Sequence, residues 1–520
     1  MMEPILSRNP ATGATLKQID QTPVAGIAAL VETARYAQKS WAKVPIRERA
    51  KCLLNAREYI LNNLDDIADL IHLENGKPKF EAIVNDIIPV LDLLSQYAKK
   101  APKLMADKRI PMKLMLHRAS YLQFWPKGVI AIISPWNYPF SIPFGEVAFA
   151  LVAGNAVVFK PSEVTPQIGL KIKEIFDNSG LPKDLLQIVL GDGARGAALV
   201  ASKIDKVFFT GSVLTGKRVM ASAAENLTPV VLELGGKDPM IVLPDADLDY
   251  ATSAALWGGF SNSGQACASV ERILVHESIH DDFVSKLKEK LAALKHGQDL
   301  GVATYEKQKA TYAEQLAELS SSNAQIVCGG HFSKDRTYLE PTIVTNPKNH
   351  TDRPLERTKI YNDETFGPVV AVTTYKTIEE AIEKANHSRY GLLASVIGRD
   401  AALAEQVARQ IEAGTVVVND VMYTHGLAET PWGGIKESGF GRVHSDLGFL
   451  EVVNVRHIHK AKWWAPLFKA FWWFPYTEHQ MKMFRHFANV MFRRSWFDKA
   501  RELPNLLTEF VEMLKKEKRL

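Results

Sequence analysis

Cysteine is scarce in this chain of 520 residues: Cys52, Cys267 and Cys328 are all there are. Three thiols cannot build a disulfide framework, so a reducing compartment is expected. There is no Cys-x-x-Cys pair and no helical pair of histidines with acidic support, so no metal site is expected. No uninterrupted apolar run approaches the roughly 20 residues that a helix needs to cross a bilayer, so no membrane span is expected. The opening residues, Met1-Met2-Glu3-Pro4-Ile5-Leu6, carry no basic flank followed by an apolar stretch. No secretory leader is therefore expected, and the expected location is the cytoplasm. No internal repeat or low-complexity tract stands out.

What is present has the make-up of a large globular protein. The 46% of hydrophobic and 23% of charged residues lie near globular averages, which excludes disordered, collagenous and disulfide-scaffold readings. The length exceeds one compact core, so two large domains are expected. The net charge of +5 is unevenly spread: residues 456–520 hold 14 Lys+Arg against 6 Asp+Glu, which leaves −3 for the remainder. The body is mildly acidic and the tail basic. Because the basic excess sits in one aromatic tail, no nucleic-acid partner is expected.

After a short irregular start, residues 23–100 read as several amphipathic helices, with Val31, Ala34, Ala37 and Trp41 recurring at three- and four-residue steps. From Gly128 the pattern changes. Short β-rich runs at 128–135, 155–160, 185–190, 207–210 and 229–234 alternate with helical stretches at 165–178, 194–202 and 216–224. Strand, helix, strand at this spacing predicts right-handed crossovers and a parallel sheet with helices on both faces. A second alternating series, 238–419, is long enough to be its own domain. The expected class is α/β with two parallel-sheet domains.

Gly264-Gln265-Ala266-Cys267 puts one cysteine in a turn after the helical stretch 250–258. Taken alone, a free cysteine reads as a buried inert thiol. Thirty-four positions upstream, Glu233-Leu234-Gly235-Gly236-Lys237 sets a carboxylate at a strand end, where sites form in α/β sheets. Its two glycines let another group approach the backbone. These two motifs resemble the nucleophile and general-base signatures of the aldehyde dehydrogenase superfamily. Five more segments correspond in family order: Pro135-Trp136-Asn137-Tyr138-Pro139, Lys160-Pro161-Ser162-Glu163, Phe208-Phe209-Thr210-Gly211-Ser212, Glu364-Thr365-Phe366-Gly367-Pro368 and Pro431-Trp432-Gly433-Gly434. The likeness covers residues 5–455, and seven motifs in order are far more specific than any one of them.

The resemblance implies oxidation of an aldehyde to its carboxylic acid through a thiohemiacetal and a thioester on Cys267, with NAD preferred and NADP the alternative. Glu233 is then the base that takes a proton from the hydrolytic water, a role suited to a carboxyl whose pKa burial has raised. A thiol titrating around 8.5 is mostly protonated at neutral pH, so the site is expected to favour thiolate through nearby positive charge or backbone donors. The oxygen that turns negative is expected to meet the Asn137 side-chain amide and the Cys267 backbone N–H. No Gly-x-Gly-x-x-Gly follows the first strand. Phosphate is expected instead where Thr210-Gly211-Ser212 opens the helix through Gly216. The resemblance further places Lys160 and Glu163 at the adenosine ribose, Glu364 at the nicotinamide ribose, and Trp136, Leu234 and Phe366 beside the cofactor. A carboxylate at 163 accepts from a free 2′-hydroxyl but repels a 2′-phosphate, so NAD is expected over NADP.

By the same resemblance, residues 1–235 form a Rossmann-like cofactor domain, interrupted near 111–127 by part of a small β bridging and oligomerisation element. Residues 236–420 form the catalytic domain, and 421–455 return to the cofactor domain and the bridging element. A homodimer or homotetramer is expected. Two positions depart from or colour the pattern. Gly439-Phe440-Gly441-Arg442 is followed by Val443 and His444, where many members carry a second glutamate, which removes the basis for a second base there. Gly145 stands where some members place an aromatic ring, which points to a wide channel. His457-Ile458-His459 reads as a solvated strand end, and Cys52 and Cys328 as core residues. The expected substrate is a medium- to long-chain aliphatic aldehyde. Three alternatives stay open. A semialdehyde enzyme would need a cation for the substrate carboxylate, a phosphorylating or CoA-acylating enzyme would not need Glu233, and a non-catalytic scaffold would need neither Cys267 nor Glu233.

Residues 456–520 lie beyond the family pattern and hold five of the ten tryptophans. Trp463, Trp464, Phe468, Phe471, Trp472, Trp473, Phe474 and Tyr476, interleaved with Lys462 and Lys469, suit a segment at a bilayer interface. Phe484, Phe487, Val490 and Met491, with Arg485, Arg493 and Arg494, continue the mixture on a helix. Peripheral contact with the inner membrane surface and an arm packed on protein both fit this composition.

Overall fold

The computed structural model describes residues 3–347, 354–464 and 470–517. It divides into two compact units, Met1–Ala106 with Phe124–Val455, and Asp107–Gln123 with Arg456–Leu520.

The larger unit is α/β and holds two mainly parallel sheets, the class expected. In the first, the strands stand in the order Gly439–Phe440, Val230–Glu233, Lys206–Thr210, Val129–Ile133, Ala156–Lys160, Leu186–Ile188. All are parallel except Gly439–Phe440, which runs antiparallel to Val230–Glu233. Every residue of Val129–Ile133 and Ala156–Lys160 is buried, as befits parallel strands covered on both faces. The helices Pro166–Asp177, Gly193–Ala201 and Val213–Ala224 make the crossovers. Because the chain winds outward in both directions from Val129–Ile133, the crossovers diverge between that strand and Lys206–Thr210. A crevice opens beyond the strand ends at such a point.

The second sheet has the order Gln325–Cys328, Thr342–Thr345, Val369–Tyr375, Val270–His276, Asp238–Val242, Leu393–Ile397, Thr415–Val418, with only Gln325–Cys328 antiparallel. Its core gathers Phe260 and Phe283 with strand residues such as Val242, Ile273 and Val372. Cys52 is buried in the helical layer, and the half-buried Cys328 packs against this core.

The amphipathic helices expected in 23–100 are Ile27–Trp41, Ile46–Asn62, Leu64–Asn75 and Ile88–Leu104. The start of the chain, read as irregular, is instead a hairpin of Ile5–Arg8 and Thr15–Ile19. Its pattern was hard to see because the strands are short: only Ile5, Ser7 and Ile19 turn inward, and Asn9 closes the turn by accepting from the backbone N–H of Ala11 at 2.8 Å.

The smaller unit contains the strand pairing of Lys108–Ile110 with Arg118–Pro126, extended by Val453–Ala461 into a three-stranded sheet. His457 and His459 lie on that last strand. The helices Glu478–Phe492 and Trp496–Glu517 then pack antiparallel on each other, with His479 2.8 Å from Glu509 and His486 2.5 Å from Glu502. Phe468 and Lys469 lie outside the described residues.

Candidate active site

Three turns of the larger unit meet around Cys267, and each is held by a buried charge. The cysteine turn follows the helix Leu248–Phe260. Asn262, Ser263 and Gly264 all have left-handed φ, 50°, 54° and 69°, a conformation that costs a non-glycine residue about 1–2 kcal/mol. Glu81 holds it, accepting from the Ser261 hydroxyl and the Asn262 N–H, each at 2.9 Å. Ser263 donates to the Gly301 carbonyl at 2.8 Å, and the Gln265 amide donates to Asn262 and Val302 carbonyls at 3.0 and 3.1 Å. Gly264 is obligatory, since a Cβ there would lie 2.2 Å from the Gly367 carbonyl oxygen.

The second turn leaves the strand Val129–Ile133 and carries Trp136 and Asn137. Lys77 and Asp86, both fully buried, pair at 2.5 Å. Lys77 also donates to the Asn137 carbonyl at 2.9 Å, and Asp86 accepts from the Phe140 and Ser141 N–H groups. The Asn137 side-chain amide donates to the Gln265 carbonyl at 3.1 Å, tying this turn to the cysteine turn. Its Oδ1 has no partner among the described residues.

The third turn precedes the strand Val369–Tyr375. A buried Lys237–Glu271 pair grips it, Glu271 accepting from the N–H groups of Thr365 and Phe366. Phe366, with φ of 53°, lays its ring 5.4 Å from that of Trp136. Glu364 accepts from the Gly236 N–H at 3.0 Å. A Cβ on Gly235 would lie 2.4 Å from Glu364, and one on Gly236 would lie 2.4 Å from the Cys267 carbonyl oxygen. The close approach expected at Gly235-Gly236 is thus made by two groups.

The electrostatics are acidic and dry. Glu233 ends its strand as expected, and neither of its oxygens finds a partner among the described residues. Burial pushes its pKa up to about 8, against the pull of Arg442. Burial also lifts Glu364 to about 8, with Glu271 adding to the effect. Burial, then the carboxylates Asp238, Glu364 and Glu233, push the Cys267 thiol well up. Of the two aids expected for the thiolate, positive charge is not what faces this sulfur, since three acids do, whereas a backbone donor is present in the Ala268 N–H.

The half-buried Cys267 opens on a pocket walled by Tyr138, Ile142, Trp257, Met422, Tyr423 and Trp432. Among the described residues no lysine or arginine is in its wall. Gly145 does not widen it: the space its missing side chain leaves faces Leu93 and His444.

On the other side lie the residues expected to hold NAD. Ser212 caps the twelve-residue helix Val213–Ala224, its hydroxyl accepting from the Thr215 N–H, so the first helical N–H groups face an anion with the favourable end of the helix dipole. Gly216 lets this helix close on Leu234, where a Cβ would meet the leucine at 2.6 Å. The Gly211 N–H donates to the Glu233 carbonyl at 3.0 Å. Lys160 is buried, and its ammonium lies 3.6 Å from the half-exposed Glu163. Ser134 and Thr210, at the ends of the two strands flanking the crevice, have buried hydroxyls without partners among the described residues. Unmet polar atoms, a helix N-terminus and a buried ammonium together fit a dinucleotide.

The profile of the aldehyde dehydrogenase family matches residues 2–458. The chain is 36% identical over 504 residues to the 4,4′-diapolycopene aldehyde oxidase of a Methylomonas species, covering 92% of this chain and 93% of that one. The fold is similar to that of an aldehyde dehydrogenase from Bacillus cereus solved with NAD+, at a TM-score of 0.84 with 33% identity, over 88% of this chain and 93% of that one. It is also similar to an NADP-dependent enzyme of E. coli, at a TM-score of 0.83 with 30% identity, over 88% and 95% of the two chains. This chain belongs to the aldehyde dehydrogenase family. It is an NAD(P)-dependent aldehyde oxidoreductase.

Several groups in this aldehyde dehydrogenase escaped the sequence reading. Lys77, Glu81, Asp86 and Glu271 position the three turns but reside in helical or strand segments whose pattern looked structural. Glu146 is buried with one oxygen unpartnered among the described residues, its pKa pushed well up by burial and then by Glu233. Its signal was available, a carboxylate within the otherwise apolar helix Ser141–Val152. His425 lines the cavity, with its ring 4.9 Å from that of His444. Among the described residues no group of three or more His, Cys, Asp or Glu is arranged to hold a metal.

The Lys77–Asp86 pair gives a direct test. Lys77→Met leaves Asp86 buried and unpaired and should cost about 3–5 kcal/mol in chemical denaturation. The double variant Lys77→Met, Asp86→Asn, which removes the buried charge but keeps an acceptor for the Phe140 and Ser141 N–H groups, should regain much of that stability.

Proposed function

We propose that this aldehyde dehydrogenase oxidises long, apolar aldehydes with NAD as preferred cofactor, using Cys267 as nucleophile, Glu233 as hydrolytic base and Asn137 as oxyanion donor. The observation that carries the substrate class is the aromatic wall of the cavity at Cys267, with no cation to receive a second charged group. A semialdehyde would bury its carboxylate there unpaired. The name of the Methylomonas relative, a 4,4′-diapolycopene aldehyde oxidase, supports the same choice.

Trp136, Lys160, Glu163, Gly211, Ser212, Gly216, Leu234, Glu364 and Phe366 are the residues proposed to hold the cofactor, within residues 1–235 and the Glu364 turn. Bound there, NAD(P) supplies the hydride acceptor. The protein's part begins with sulfur bonding to the carbonyl carbon while the oxygen gains charge beside the Asn137 amide and the Cys267 N–H. Once the Cys267 thiol has given up its proton to solvent and the carbon has lost hydride, the carbon–oxygen double bond re-forms and a thioester remains on Cys267. Water adds to it, Glu233 takes the water's proton, and the carbon–sulfur bond breaks, so that the net reaction consumes one water. Retention of Glu233 favours water over phosphate or CoA as acceptor. In this reading residues 236–420 carry the nucleophile, 421–455 return to the cofactor domain, and the three-stranded sheet joins subunits of a homo-oligomer in the cytoplasm.

Three outcomes are expected. Reduced-nicotinamide formation should rise with alkanal chain length, stay low with succinic semialdehyde, and vanish in Cys267→Ala; semialdehydes as the only substrates would overturn the substrate class. Glu233 acts when deprotonated, so with its pKa near 8 thioester hydrolysis should rise as pH passes through 8. In Glu233→Gln that rise should disappear and acyl-enzyme should accumulate, as measured by rapid-quench mass spectrometry. Glu163→Ser should increase NADP use relative to NAD by about tenfold, on the order of the 1.4 kcal/mol of one charge-assisted hydrogen bond, and an unchanged ratio would remove Glu163 from the ribose site.

A further inference from the structure

The smaller unit segregates charge and displays aromatic rings in a way the aldehyde chemistry does not use. Its residues, 107–123 and 456–520, hold 18 Lys+Arg against 7 Asp+Glu, a net +11 that leaves −6 for the rest of the chain. Trp463 is 96% exposed, and Trp472, Trp473, Phe474 and Tyr476 are exposed beside it in sequence. The turn between the two helices exposes Phe492, Trp496 and Phe497, the last at 80%. Between these ends, Trp496, Leu503, Leu507 and Val511 recur at helical spacing along Trp496–Glu517 and are all exposed, so the outer face of that helix is an apolar stripe. Arg485 and Arg501 are exposed on the same two helices, and Arg493 and Arg494 on the turn that joins them.

We propose that this unit seats the protein on an anionic lipid bilayer, with the rings at headgroup depth and the arginines against lipid phosphates. No described helix is long and apolar enough to cross a membrane, so the contact is one of lying on the surface. Tryptophan and tyrosine favour the zone where one edge of the ring is apolar and the other wet, and each arginine near an anionic surface adds attraction. Charge decides against the same face of a second copy as occupant, because the exposed Arg485, Arg493, Arg494 and Arg501 would meet themselves. The inference stands apart from the substrate reading, although a bilayer surface would also concentrate a long apolar aldehyde.

The test uses the full-length protein with two vesicle types, phosphatidylcholine alone and phosphatidylcholine with phosphatidylglycerol, some made with brominated acyl chains. The native protein should sediment with the anionic vesicles, release at high salt, and lose tryptophan emission to the brominated chains. Arg493→Glu with Arg494→Glu should lower the partition coefficient by about tenfold or more, given roughly 1 kcal/mol for each basic residue at the surface. Trp463→Ser with Trp496→Ser and Phe497→Ser should weaken both the partitioning and the quenching, the remaining quenched emission coming from Trp464, Trp472 and Trp473. NADH formation on a short soluble alkanal, unchanged in all variants, would show that the larger unit is intact. Failure of native protein to sediment, or undiminished binding in both variants, would overturn the proposal. So would a change of subunit number in the aromatic variant, by light scattering, without any vesicle binding by the native protein, since the face would then be a protein interface.

Discussion

Much of the arrangement around Cys267 depends on one buried carboxylate. Glu81 accepts three hydrogen bonds from Ser261 and Asn262 and so offsets the cost of a left-handed run at 262–264 that no local preference would select. That run turns the chain out of the helix Leu248–Phe260 and aims Cys267 at the cavity. Five residues on from Glu81, across the π-helical turn Ala82–Ile87, Asp86 pairs with Lys77 and receives the backbone of Phe140 and Ser141. One stretch of helix therefore fixes both the cysteine turn and the Asn137 turn, and their relative placement is as rigid as that helix.

The price of this rigidity is a concentration of acid. Glu81, Glu146, Glu233, Asp238 and Glu364 are all buried and all held towards their protonated forms by desolvation. Lys237 and Lys77 are already committed to Glu271 and Asp86. A thiolate at Cys267 would be desolvated in the same way, so burial holds the sulfur towards its thiol form as well. On the proposed mechanism the site then gains reactivity with rising pH, because the same desolvation that restrains the thiol makes Glu233 a stronger base than an ordinary carboxylate.

The strand and helix alternation was legible because parallel strands covered on both faces are continuous apolar runs, as at Val129–Ile133, and their register with the crossover helices follows from spacing. The motif residues were legible because glycine pairs and strand-end carboxylates mark close approach, which Gly235, Gly236 and Glu233 display. What was not legible was long-range pairing. Lys77 reaches Asn137 and Glu81 reaches Asn262, contacts separated by 60 and 181 positions, and a charged residue in a helix or in the loop beside one gives no sign that its partner lies so far along the chain. Gly145 shows the opposite failure: the small residue suggested open space, but Leu93 and His444 face the vacancy.

That exchange bears on the cavity itself. His444, in the space Gly145 leaves, and His425, at the cavity wall, are both pushed down in pKa by burial, His425 to about 4. Both imidazoles are therefore neutral at physiological pH, and the cavity carries no positive charge although two titratable rings stand at or behind its wall. An apolar chain meets no desolvated cation there, whereas a carboxylate would meet no counter-charge. The neutrality of these rings thus extends the apolar character of Trp257, Tyr423 and Trp432 along the wall, and ties the proposed preference for an uncharged aldehyde to the same burial that raises the pKa of Glu233.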